Sequence, residues 1–188
     1  MGRTNIVGEQ AIIAVTPLLE AIASNGMVIG NQGSVISKDL QLKGVDLMLW
    51  RDDRLICFEV KGTSKDKPEY EKAFIEVVQD TRTCSPGWAY LIDIDYLLWV
   101  YLRTQKAYMF KWVEFKTWFE ANLHSYPTYH LQNKKWDTIG ILIPWRDISQ
   151  GLGKTNFGEF DLNEPWKWVI PLKHMGFPIL HKYNKQTG

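Results

Sequence analysis

Three charged residues interrupt two otherwise apolar runs. Asp46 lies near the start of Val45-Asp-Leu-Met-Leu-Trp50, and Glu59 and Lys61 lie near the end of Leu55-Ile-Cys-Phe-Glu-Val-Lys61. Side chains alternate between the faces of a strand, so Glu59 and Lys61 point the same way. If the runs form a hairpin centred between Asp52 and Asp53, paired residue numbers sum to 105 and Asp46 falls directly opposite Glu59. Two opposed carboxylates repel, and burying them unpaired is costly. A divalent cation removes that cost. Mg²⁺ takes oxygen ligands, commonly one or two carboxylates with water and substrate phosphate completing the shell. Lys61 beside such a centre would stabilise negative charge developing on a phosphoryl group, or orient an attacking water. The chemistry suited to these residues is phosphodiester hydrolysis.

The elements that must position them follow from periodicity. One face of the hairpin carries Asp46, Met48, Trp50, Leu55, Cys57, Glu59 and Lys61, and the other carries Val45, Leu47, Leu49, Ile56, Phe58 and Val60. Both are apolar away from the charges, which predicts a hairpin covered on both sides, with Trp50 in the core. Upstream, residues 8–24 repeat Ile12, Val15, Leu19 and Ile22 at helical spacing. Pro17 predicts a kink there or a division into two pieces, and Asn25-Gly26 ends the segment. Residues 27–36 read as a strand broken by Gly30-Asn31-Gln32-Gly33. Downstream, Pro68 opens a predicted helix to about residue 82, with Tyr70, Phe74, Val77 and Val78 on one stripe. Further strands are predicted over 88–95, 96–103, 106–111, 138–143 and 168–170, and a Trp- and Phe-rich helix over 113–123. This order implies an α/β (α+β) chain with a mixed central sheet.

The arrangement resembles the PD-(D/E)xK nuclease superfamily: an Asp, then Glu-Val-Lys on the next strand, after one helix and before another. The resemblance covers roughly residues 6–95. It implies a restriction-endonuclease-like, Holliday-junction-resolvase-like α-β-β-β-α-β core and Mg²⁺-dependent cleavage of DNA, with Mn²⁺ as a substitute. Carried over residue by residue, Asp46, Glu59 and the Val60 carbonyl would bind the metal, and Lys61 would assist the nucleophile. Val45 stands where the named motif has proline. Many members add an acid from the first helix. Glu9, beside Gly8, is the favoured candidate and Glu20 the alternative; eleven residues separate them, about 16 Å along a helix, so only one can reach the metal. Ser34, after Gly33, and Gln79 are auxiliary candidates.

Other signals carry less. Glu114-Phe115-Lys116 repeats Glu-x-Lys at the start of an aromatic helix, where a solvated pair is expected. Gly151-Leu-Gly153-Lys154-Thr155 ends like a phosphate-binding loop, but Ile148 occupies the position that requires glycine. The four histidines lack metal-ligand spacing, and Asp93-Ile94-Asp95 reads as a turn. From Trp166 onward the chain has Lys167, Lys173, Lys182 and Lys185 and no acid. Trp166, Trp168, Lys167 and Lys173, with Lys65, are the candidates for DNA contact; the alternative is an aromatic flap over the sheet.

The whole chain has 188 residues, with 22 Lys and Arg against 21 Asp and Glu. That balance excludes a highly basic nucleic-acid coat and an acidic solvating tail. Two cysteines cannot build a disulfide scaffold, and the absence of a long apolar run or signal-peptide pattern implies a cytoplasmic protein with no membrane partner. Residues 1–125 are expected to form the nuclease-like core and 126–188 an extension packed on it. The expected function is a metal-dependent DNA endonuclease, with pairing into a homodimer as a way to cut two strands; RNA satisfies the same chemistry. The alternative is a catalytically inactive nuclease-fold module that binds DNA or a protein partner in a phage, mobile-element or defence setting.

Overall fold

The computed structural model describes residues 3–23, 28–30, 44–64, 72–132 and 137–177. Helix α1 spans Arg3–Glu20. Its Ala11, Val15, Leu18 and Leu19 are fully buried, which is one stripe at helical spacing. The division into two pieces at Pro17 does not occur. Pro17 lies on the exposed side with Ile13, where water can satisfy the carbonyl that proline leaves without a donor, and Thr16 Oγ1 donates to Ile12 O at 2.8 Å. The Asn25-Gly26 stop lies outside the described residues.

A mixed sheet forms from β1 (Val28–Gly30), β2 (Leu47–Arg51), β3 (Arg54–Thr63), β6 (Tyr96–Tyr101), β7 (Lys106–Lys111) and β10 (Phe157–Asp161), in that spatial order. All neighbours are antiparallel except β3 and β6. The β2–β3 hairpin turns at Asp52 and Asp53, both at positive φ (47° and 59°) as two-residue type I′ turns require. Its pairs run from Leu47 with Phe58 to Arg51 with Arg54, so the register summing to 105 is the one adopted. Trp50 and Leu55, at the turn end, are 38% and 39% exposed, so Trp50 is not a core residue.

The second sheet corrects the sequence reading most. Residues 72–80 are not helical; they form β4 (Lys72–Asp80), within an antiparallel sheet ordered β5 (Ser85–Pro86), β4, β9 (Asp137–Pro144) and β8 (Thr128–Gln132). Phe74, Val77 and Val78 satisfy a helical stripe, yet Ala73, Ile75 and Val77 satisfy strand alternation equally well. The available partner strand β9 decides between them. A bulge after Glu76 shifts the pairing, with Glu76 opposite Gly140 and Val78 opposite Ile139. Gly140 has no side chain because the Phe74 ring occupies that space: a Cβ there would lie 2.2 Å from it.

Two more expected strands are helical. Trp88–Leu91 is one short turn, α2, and residues 165–174 form a 3₁₀ turn leading into α5 (Val169–His174). In the latter, Trp168 and Leu172, four apart, are both buried, and Trp168 Nε1 donates to Asp161 O at 2.6 Å. The remaining helices are α3 (Trp112–Asn122) and α4 (Trp145–Leu152).

The mixed sheet is covered on both faces, as the hairpin pattern predicts. Leu47, Leu49, Ile56 and Phe58 pack with α1 and with Leu172 and Phe177. Met48, Leu97 and Phe110 pack with β4, β9, α3 and α4. Residues beyond 126 therefore supply strands to both sheets.

Candidate active site

Asp46 precedes β2 and is fixed twice. Its backbone N–H donates to Phe58 O at 2.8 Å, and its Oδ2 accepts from the Val60 N–H at 2.8 Å. The side chain thus substitutes for a ladder acceptor, and Asp46 grips β3 on either side of Glu59. This departure from the regular ladder turns Val45 into the core with Met48, not with Leu47 and Leu49 as strict alternation predicts. Gly44 makes the approach possible. Its φ is +77°, and a Cβ would lie 2.5 Å from Ile92 Cγ2 and 3.2 Å from Glu59 Oε2.

Glu59 is 7% exposed and Lys61 pairs with its Oε1. The Asp46 and Glu59 carboxyls are close enough to act on each other's titration. Burial pushes Glu59 up to about 7; Lys61 opposes the shift and Asp46 adds to it. Burial also raises Asp46, against the Val60 amide and Lys61. Both carboxyls therefore hold their protons to higher pH than ordinary carboxyls do.

The sequence reading missed Trp88. Lys61 Nζ sits 4.9 Å from the centre of its ring, which packs on Trp112 at 5.9 Å. Glu76 Oε1 accepts the Trp88 N–H at 3.2 Å. Gly87 lets this turn approach β4, since a Cβ there would lie 2.3 Å from Glu76 O. The only local signal is Gly87 before Trp88, at the boundary of the strand expected over 88–95.

Asp46, Glu59, Val60 and Lys61 come together; among the described residues the other candidates do not join them. Helix α1 packs on the opposite face of the sheet, with Val7 and Ala11 against Gly62. Glu9, midway between those two, is exposed on the outward side, and neither Glu9 nor Glu20 is among the groups acting on the carboxylate pair. Gln79 is exposed on β4 rather than facing the site from a helix. Ser34 and Lys65 lie outside the described residues. Trp166 is 42% exposed and Lys167 pairs with Glu164, but Trp168 is buried and cannot stack on a base; Lys173 is exposed. Among the described residues no group of three or more His, Cys, Asp or Glu side chains is placed to hold a metal. No described helix is long and apolar enough to cross a membrane.

Compared with family models, curated proteins and solved structures, the chain matches none.

Proposed function

We propose that the protein is a metal-dependent endonuclease of the PD-(D/E)xK type, hydrolysing DNA phosphodiester bonds. The observation that carries this reading is the meeting of Asp46 and Glu59 in a buried position with Lys61 beside them on the same strand face. The succession α1, β1, β2, β3, α2, β6 also supports it, with β4 and β5 inserted before α2.

A divalent cation fits this donor set. Two carboxylates held together where water is scarce repel each other, and positive charge relieves both the repulsion and the burial. Asp46 and Glu59 would hold Mg²⁺ or Mn²⁺, with the Val60 carbonyl as a third donor. When bound, the cation would polarise a phosphoryl oxygen and acidify a water. The Val60 amide fixes the Asp46 carboxylate, so that ligand is preorganised. The Trp88 ring and Glu59 hold the Lys61 ammonium next to the carboxylates, where negative charge on the phosphate would develop.

A second reading, a module that keeps this fold and binds without cutting, draws on the Lys61 to Glu59 pair, which already neutralises one carboxylate. Purified protein incubated with supercoiled plasmid, linear duplex, single strands and a four-way junction, in Mg²⁺, Mn²⁺ or EDTA, separates the two. Metal-dependent cutting that disappears in Lys61→Ala and Glu59→Ala is the expected outcome. Tight binding without cutting in any metal would favour the module.

A further inference from the structure

At the turn end of the β2–β3 hairpin lies a cavity of about 600 Å³, and Asp46, Glu59 and Lys61 do not line it. Arg51 forms part of its wall and is 95% buried, since only 5% of it is exposed. The Arg51 Nε donates to Asp52 at 3.0 Å and its guanidinium carbon sits 5.2 Å from the centre of the Phe177 ring, another lining residue. Its Nη1 is buried with no acceptor. Burying an arginine with donor capacity unmet is costly, and an acceptor beside its guanidinium would lower that cost.

The rest of the lining supplies what an anion needs. Arg54 and Lys111 make no ion pair among the described residues. Helix α3 starts at the same wall without a side-chain cap, so the Val113 and Glu114 amides have no capping acceptor among the described residues. Two of the three lining acids are engaged: Asp52 accepts from Arg51, and Asp95 accepts from the Cys57 N–H at 2.7 Å. Glu114 is exposed.

We propose that this cavity is a binding site for a small phosphate-bearing molecule, independent of the nuclease reading. Two cations with no ion pair among the described residues, a buried guanidinium and a pair of helix amides suit a tetrahedral dianion better than a planar carboxylate, which one arginine fork would satisfy. The volume leaves space beyond the phosphate for an organic group against Phe177.

The test is titration of the full chain with inorganic phosphate and, separately, with dAMP, followed by amide NMR. Saturable shifts at Arg54, Val113 and Glu114 are expected with both. The affinity should fall about tenfold or more in Arg54→Ala/Lys111→Gln, whose charged hydrogen bonds are lost. Arg54 is exposed and Lys111 half-buried, and an otherwise unchanged spectrum verifies that the variant folds. Tighter binding of dAMP would assign an organic phosphate, and equal binding a bare phosphate group. No saturable shift at these amides with either probe, or undiminished binding in the double variant, would overturn the proposal.

Discussion

Glu59 makes the carboxylate pair sensitive to pH. An unfolded glutamate titrates near 4.5, and the folded one near 7, so between those values the folded state holds the extra proton. Stability contributed by Glu59 is therefore lost as pH rises from about 4.5 to 7, by up to ~3 kcal/mol. The raised Asp46 acts in the same direction. Urea unfolding of the metal-free protein across this window should show the decline, and Glu59→Gln should flatten it. An unchanged slope in that variant would place the titration elsewhere. This pairing was legible in the sequence, because hairpin register needs only a two-residue turn and strand alternation. The bulge-like grip of Asp46 was not, since it depends on a side chain replacing a backbone acceptor. Trp88 was hidden for a related reason: its contact with Lys61 arises from packing between distant segments.

At the scale of elements, the hairpin carries a correctable cost. Asp53 adopts φ +59°, a conformation that glycine reaches without the penalty of a Cβ. Asp53→Gly should raise stability by roughly 0.5–1 kcal/mol, read as a higher thermal midpoint, without disturbing the site. A lower midpoint would mean that the Asp53 side chain contributes more than its backbone costs. The hairpin announced itself because both strands lie within one short stretch of chain. Strand β4 did not, because residues 73–78 satisfy two periods and the partner that decides, β9, lies far along the sequence. The segment after Pro165 failed differently. Trp168-Val169-Ile170 has strand-forming side chains, but the Trp168 indole hydrogen bond and the buried Leu172 settle it as helical.

The whole molecule depends on its last third. Strand β9 pairs with β4, β10 pairs with β7, and Ile141, Ile143, Trp145 and Ile148 fill the core between the sheets. A chain ending at residue 125 would expose those surfaces and leave β4 without its main partner. Such a truncation should lack a cooperative thermal transition and give poorly dispersed amide resonances. A folded fragment would show that the first 125 residues form a core of their own. The near-balance of basic and acidic residues also takes on a different meaning at this scale. In the proposed reading, two of the 21 acids serve a divalent cation whose charge the sequence count omits.

The central claim is that Asp46 and Glu59 form a cation site, and metal binding tests it without knowledge of the substrate. Isothermal titration of the wild-type chain with Mn²⁺ above pH 7 should show one saturable site, accompanied by a rise in thermal stability. Both should be lost in Asp46→Asn and in Glu59→Gln. Absence of saturable binding in the folded wild type, or equal binding in both variants, would contradict the account.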